Sequence, residues 1–242
     1  MSIFNQKVIK YEMKPLSSLE KVFPDETPVY RMECQMLSGL WGETVSFQVA
    51  YTGDFVMRER LDVRVVSELA EHVHVRTVEM VPVGRATNGI VDDNYLKTTS
   101  GLYPDLLKDL KDGKVIVYSR QWRSLWVDVD ITNEIPAGEY EIELQLIKEG
   151  EVVCSAKQKV TVIGTELPKL DIMHTEWMHA DCLADYYHVE VFSEEHWKLL
   201  ENYFQEYVKR DCNMMLTPLF TSPLDTAIGL ERTTCQLIDV EV

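Results

Sequence analysis

The residues best able to do chemistry crowd into one stretch, Met173-His-Thr-Glu-Trp-Met-His-Ala-Asp-Cys-Leu-Ala-Asp-Tyr-Tyr-His188. Here His174, Glu176, His179, Asp181, Cys182, Asp185 and His188 alternate with Trp177, Tyr186 and Tyr187. Aromatic rings beside carboxylates and imidazoles suit a sugar: the rings stack on its apolar face while the polar groups bond its hydroxyls. The segment His179-x-Asp181-Cys182 also offers nitrogen, oxygen and sulfur donors to a metal, although no spacing matches a standard zinc pattern. A loop packed by its own aromatics, with solvated histidines, accounts for the same residues. Thr217-Pro-Leu-Phe-Thr-Ser-Pro-Leu-Asp225 is a candidate second wall of a cleft, or a proline-stiffened connection. His72 and His74 share a strand face as a metal pair or as solvated side chains. Trp41, Trp122 and Trp126 read either as a sugar-binding platform or as packing residues. No nucleophile elbow, paired-histidine zinc helix or phosphate-binding loop occurs, and Gly138, Gly150 and Gly164 read as turn glycines. No catalytic residue, metal or cofactor follows from these patterns.

Strands must carry most of these groups. Val45, Phe47 and Val49 share one face of Thr44–Tyr51. Trp126–Ile131 places Val127, Val129 and Ile131 inward against Asp128 and Asp130, and Tyr140–Leu146 alternates in the same way. Val152–Ile163 supplies a further strand after a hairpin at Lys148-Glu-Gly-Glu151. Lys7–Tyr11, Val29–Gln35, Leu61–Val66, His72–Val83 and Val115–Tyr118 complete the set, with short helices expected near Ser17–Val22 and Pro104–Lys111. Many short alternating strands with frequent turns predict an antiparallel β-sandwich over residues 1–164.

The pattern changes at Thr165-Glu-Leu-Pro168. Leu170–Met173 reads as a short strand, followed by a long loop and then a helix over Glu194–Arg210. Ser193 is its N-cap, Glu194 and Glu195 sit in its positive first turn, and Phe192 with Trp197 occupies the positions of a hydrophobic staple. Trp197, Leu200, Phe204, Tyr207 and Val208 form the stripe expected to be buried. Asn213–Thr217 reads as a buried strand with Met214 and Met215 in a core, and Cys235–Val242 as another strand. Strand, loop, helix, strand is a β/α beginning. Residues 165–242 supply about two of the eight units of a (β/α)8 barrel. The fold class is therefore mainly β plus α/β: an N-terminal antiparallel β-sandwich followed by an incomplete (β/α) barrel segment.

The charge narrows the partners. With 24 Lys and Arg against 40 Asp and Glu, the 242 residues carry −16. That field repels nucleic-acid backbones and anionic lipids, and no apolar run is long enough for a membrane span. Five cysteines without a CxxC pair, and a start with no signal-like stretch, give the expectation of a reduced, cytoplasmic protein.

Three C-terminal stretches resemble the start of the catalytic domain of glycoside hydrolase family 123 and its uncharacterised bacterial relatives. They are Thr175-Glu-Trp-Met-His-Ala-Asp-Cys182, Phe192-Ser-Glu-Glu-His-Trp197 and Asn213-Met-Met-Leu-Thr-Pro218. Upstream, Tyr103-Pro-Asp-Leu-Leu107, Leu125-Trp-Val127 and Ile135-Pro-Ala-Gly-Glu-Tyr140 resemble that family's preceding sandwich. The resemblance implies an exo-acting β-N-acetylgalactosaminidase that retains configuration with help from the substrate. In that family an Asp orients the 2-acetamido group and the adjacent Glu is the general acid/base. The pair belongs to a later barrel strand; Asp25-Glu26, Asp92-Asp93 and Asp239-x-Glu241 are not that motif, so no catalytic residue carries over. Trp177, His179 and Asp181 match the first-loop motif and are expected to bind substrate, an amino-sugar glycoside. The expectation is an N-terminal glycosidase portion inactive alone; the alternatives are a noncatalytic carbohydrate-binding or assembly module, and a sandwich with a functionless β/α appendage. Association of copies through the open barrel edge is a further expectation.

Overall fold

The computed structural model describes residues 10–28, 36–55, 58–87, 89, 95–169 and 171–217. The chain divides into two compact units, Met1–Leu167 and Pro168–Val242. The expected strands Val29–Gln35 and Cys235–Val242, the start of Lys7–Tyr11 and all of the second wall after Thr217 lie outside the described residues.

The first unit runs β1 (Lys10–Ser17), β2 (Met36–Trp41), β3 (Thr44–Asp54), β4 (Glu59–Val66), β5 (Val73–Val83), β6 (Gly101–Asp109), β7 (Lys114–Val117), β8 (Arg123–Asp130), β9 (Gly138–Lys148) and β10 (Glu151–Glu166). Its two five-stranded sheets have the orders β1-β3-β8-β5-β6 and β2-β10-β9-β4-β7. Pairing is antiparallel except for β2 on β10, which is parallel. The core lies between the sheets. Phe47, Val49, Leu125, Val127 and Val129 of the first meet Leu61, Val115, Ile142, Leu144, Leu146 and Val160 of the second. The alternation that predicted β8 and β9 is what delivers these side chains to one face. Asp128 does face away from the core, yet it is buried there, because Ser46 and the Trp126 indole donate to it at 2.6 and 2.7 Å and Arg76 pairs with it. The β9–β10 hairpin turns at Glu149 and Gly150, both at positive φ (52° and 88°), the conformation a two-residue turn of this hand requires.

Three local expectations give way to tertiary structure. Ser17–Val22 is a turn, not a helix. The buried Gln48 amide donates to the carbonyls of Ser17, Ser18 and Glu20 at 3.2, 3.1 and 2.7 Å, supplying from β3 the bonds a helix would make internally. Pro104–Lys111 contributes to the edge strand β6, which pairs along β5 with a bulge where Glu79 faces Leu106 and Met80 faces Pro104. A proline lacking its N–H is tolerated at such an edge bulge. Gly164 lies inside β10 rather than in a turn; a Cβ there would sit 2.9 Å from Ala137 Cβ and 3.6 Å from the Trp41 ring.

The second unit contains β11 (Thr175–Trp177), α1 (Ala180–Tyr187), α2 (Glu194–Val208) and β12 (Met214–Leu216). The strands pair in parallel, Thr175 with Met214 through Trp177 with Leu216, and both helices lie between them in sequence. Residues 171–173 of the expected strand Leu170–Met173 are not strand, Leu170 lying outside the described residues; the strand is instead Thr175–Trp177, and the expected long loop contains α1. Met178, Ala180 and Leu200 form the unit's core, with Leu183, Val191, Tyr207 and Met215 packed on it. Among the described residues no helix is long and apolar enough to cross a membrane.

Gln48 ties the first sheet to the turn after β1, and its Oε1 also accepts from Ser124 at 2.9 Å. Gln48→Leu keeps the volume but strands these partners, so it should lower the sandwich's stability by about 2 kcal/mol. Urea unfolding followed by Trp122 and Trp126 fluorescence checks this; an unchanged midpoint would refute it.

Candidate sugar-binding wall

Three bonds set the ends of the parallel pair. Asn213 Oδ1 accepts from the His174 amide at 2.9 Å, and Asn213 Nδ2 donates to the Ile172 carbonyl at 2.8 Å. At the opposite end the Met178 amide donates to the Leu216 carbonyl at 2.9 Å. Side chains just after Trp177 and Leu216 therefore leave the sheet at its carboxyl end, the end where parallel β/α proteins build their sites.

Two unsatisfied polar atoms sit there. His179 Nδ1 and Thr217 Oγ1 are buried without a hydrogen-bond partner. His179 occupies the N-cap position of α1 at φ −102° and ψ 100°, yet its side chain makes no capping bond. Trp177, which ends β11, is 65% exposed. An indole face can offer apolar contact, and an imidazole and a hydroxyl can each offer a hydrogen bond. Asp181 is buried in the first turn of α1, where a carboxylate is favoured by the positive helix end.

The rest of the polar cluster disperses. His174 precedes β11, at the amino end, where its ring lies 3.2 Å from the Asp211 carbonyl and 3.3 Å from Glu176. His188 caps α1 in the left-handed conformation (φ 55°, ψ 44°). Tyr186 and Tyr187 meet edge to face, and the Tyr187 hydroxyl, 3.2 Å from that of Tyr203, pushes the Tyr203 phenol pKa up. Among the described residues no three of His, Cys, Asp and Glu converge as a metal site. The His72–His74 pair also separates: His72 ends a single 3-10 turn, while His74 on β5 faces Asp130 at 3.2 Å. Trp41, Trp122 and Trp126 make no platform. The indoles of Trp41 and Trp126 donate to Ile135 and Asp128, whereas Trp122 is buried with Leu16, Val22 and Ala50.

The family model described as the catalytic domain of glycoside hydrolase 123 matches residues 177–242. A family 123 glycoside hydrolase from Clostridium perfringens, described for glycolipid glycan hydrolysis, superposes with a TM-score of 0.63 over 88% of this chain. The chain resembles glycoside hydrolase family 123. Sequence identity to that enzyme is 13%, so the superposition speaks for the fold, and the chain spans 38% of the enzyme's length. The N-terminal domain of PorA (TM-score 0.30, 11% identity, 60% of this chain and 99% of that one) and a β-glucosidase from Listeria innocua (0.29, 11%, 66% and 17%) are more distant. No curated protein matches by sequence. The family 123 match begins at Trp177, the residue that ends β11.

One organising residue gave no signal of its role in the sequence. His196 is fully buried; its Nδ1 accepts from the Phe192 amide at 3.0 Å, so its Nε2 carries the proton donated to the Ala180 carbonyl at 2.8 Å. It therefore fastens α2 to the start of α1, directly behind His179. The Ser193 cap and the stacked Phe192 and Trp197 rings, 5.7 Å apart, hold the same helix end. Nothing in the sequence marked the His196 bond to another helix.

His196→Phe keeps a ring but removes both bonds. It should destabilise the second unit by about 2–3 kcal/mol and leave the sandwich unchanged. Hydrogen exchange resolved by segment reads this directly: faster exchange confined to 178–208 is expected, and unaltered exchange there would contradict the assignment.

Proposed function

We propose that these residues form the sandwich and the first β/α units of a family-123-type glycoside hydrolase acting on amino-sugar glycosides. In this reading Trp177, His179 and Thr217 are one wall of the sugar site, and Asp181 braces it from the first turn of α1. The observation that carries the reading is that an exposed indole ends β11 and two buried polar atoms without partners follow the carboxyl ends of β11 and β12, inside the segment matched by the catalytic-domain model. The indole would stack on the pyranose, and the imidazole and hydroxyl would take its hydroxyl or amide groups.

Such a wall binds; it does not break the bond. Substrate-assisted hydrolysis needs one carboxylate to orient the acetamido carbonyl and a second, kept protonated by its surroundings, to protonate the leaving oxygen. Neither role falls to Trp177, His179 or Thr217, and Asp181 lies buried in the first turn of α1. The pair would come from further barrel units. The α2 face supports this: Trp197, Phe204 and Val208, expected to be buried, are 51, 39 and 69% exposed around a groove of about 530 Å³. Another β/α unit would cover it. An assembly module, in which a second copy covers that face, is the competing reading.

These 242 residues alone should release no nitrophenol from an aryl β-N-acetylgalactosaminide, whereas the same residues followed by the remaining barrel units should do so. In that longer protein Trp177→Ala should raise KM at least about tenfold with a smaller effect on kcat, the pattern of lost binding. Turnover by the 242 residues alone, or none on any aryl hexosaminide by the longer protein, would overturn the proposal. Light scattering decides the competing reading: a stable dimer of the longer protein abolished by Phe204→Lys favours assembly, and a monomer excludes it.

A further inference from the structure

The cations of this acidic chain are not evenly spread. A cleft of about 740 Å³ opens along the side of the sandwich where the edge strands β6 and β7 face one another. It is lined by Arg58, Arg60, Lys108, Lys111, Lys114 and Arg123, against only Glu59, Glu79 and Asp109. Six of the chain's 24 basic residues thus meet three of its 40 acidic ones. Part of this is neutralised nearby: Arg60 pairs with Asp112 at 2.8 Å, Lys114 with Asp62 at 3.0 Å, and Glu59 with Lys148 at 2.9 Å. What remains is Arg58, Lys108, Lys111 and Arg123 against Glu79 and Asp109. Among the described residues those four cations have no ion pair within 4 Å.

The floor is apolar and aromatic, with Tyr51, Val78 and Val115 all buried. Burial raises the Tyr51 phenol pKa, so the hydroxyl stays a neutral donor, and among the described residues its acceptor is the Ile116 carbonyl at a long 3.4 Å. The Arg123 guanidinium lies 5.0 Å over the Tyr118 ring, held on one side by the Gln121 side chain at 3.1 Å, while its Nε is buried with no acceptor. Like charges gathered around a cleft repel one another and focus a positive potential inside it. The guanidinium is the group best suited to an oxygen anion, and drawing it toward the cleft would satisfy the idle Nε.

We propose that this cleft binds an anionic saccharide, a sugar unit bearing a carboxylate or a sulfate. The anion would meet Arg123, Lys108 and Lys111, and the sugar's apolar face would meet Tyr118 above the Tyr51 floor. The anionic part rests on the charges and the cavity alone. The saccharide part rests on the glycosidase reading and gives the sandwich a role in selecting acidic glycans, apart from the barrel wall at Trp177.

The test is calorimetric titration of the 242-residue chain with galacturonate, galactose 6-sulfate, galactose and sodium sulfate at low salt. Both acidic sugars should bind, with Kd values on the order of 1 mM or tighter, and galactose at least about tenfold more weakly. About 0.5 M sodium chloride should weaken the acidic sugars severalfold. The exposed Lys108→Glu, Lys111→Glu pair should lower their affinity at least about tenfold without altering circular dichroism, and Arg123→Gln should do the same. Trp177→Ala should leave the affinity unchanged, which separates this cleft from the barrel wall. Equal binding of galactose, indifference to the charge reversals, or no binding at all would overturn the proposal. Sodium sulfate binding as tightly as galactose 6-sulfate would overturn its saccharide part. A longer protein that hydrolyses no glycoside while this chain still binds acidic sugars would sink only the glycosidase reading.

Discussion

The second unit depends on where one asparagine stands. A pair of three-residue parallel strands has few backbone bonds with which to choose a register, and a slip by one residue would turn every side chain to the opposite face. Asn213 removes the choice by holding the backbone on both sides of Met173 with its amide oxygen and nitrogen. With Thr175 set against Met214, Trp177 must end its strand beside Leu216, and His179 and Thr217 must emerge together. The candidate wall is a consequence of that alignment. The His196 bonds then hold α2 against the start of α1, so the imidazole of His179 has a fixed base.

The sandwich solves its polar problem in the same way, with side chains satisfying backbone at a distance. Gln48 serves three carbonyls of the turn after β1. Asp128 gathers Ser46, Trp126 and Arg76 on the outer face of a central strand. Tyr11 and Lys148 both bond the Glu59 carboxylate, joining β1 of one sheet to β4 and β9 of the other; burial opposes its ionisation, but these bonds outweigh burial and leave its pKa below the usual value. Each arrangement gives a polar side chain its partners within the folded sandwich. The cleft between β6 and β7 is the place where this economy lapses, with cations brought together and few partners supplied.

The two surfaces proposed for sugars have opposite chemistry. The wall at β11 and β12 offers a neutral ring, an imidazole and a hydroxyl, suited to a neutral amino sugar. The cleft in the sandwich offers positive charge, suited to an acid. A chain with a net charge of −16 would ordinarily repel an acidic glycan, so a local cationic cleft is the physical requirement for holding one. Each unit contains its whole surface, and neither reading needs an arrangement of one unit upon the other.

What the residues determined by themselves was periodicity and punctuation. Alternation gave β8 and β9, the Lys148–Glu151 turn gave its hairpin, and Ser193 with its staple gave the start of α2, because each is a property of neighbours in the chain. The stretches around Trp177, Trp197 and Met214 were enough to point to family 123. Tertiary structure decided what neighbours cannot. Pro104–Lys111 became strand because β5 offered a ladder of bonds, and Ser17–Val22 lost its helix because Gln48 offered acceptable ones. The helical stripe from Trp197 to Val208 was a sound reading of spacing, but which side of a helix is covered depends on what packs there, and His196 with Leu200 took the buried side. The seven polar groups between His174 and His188 looked like one site, but His174 precedes β11, Glu176 lies within it, and the rest are spread from the N-cap to the C-cap of α1, since a strand followed by a helix separates in space what is close in sequence. The cationic cleft draws on residues from Tyr51 to Arg123, a gathering that only the pairing of two sheets can make.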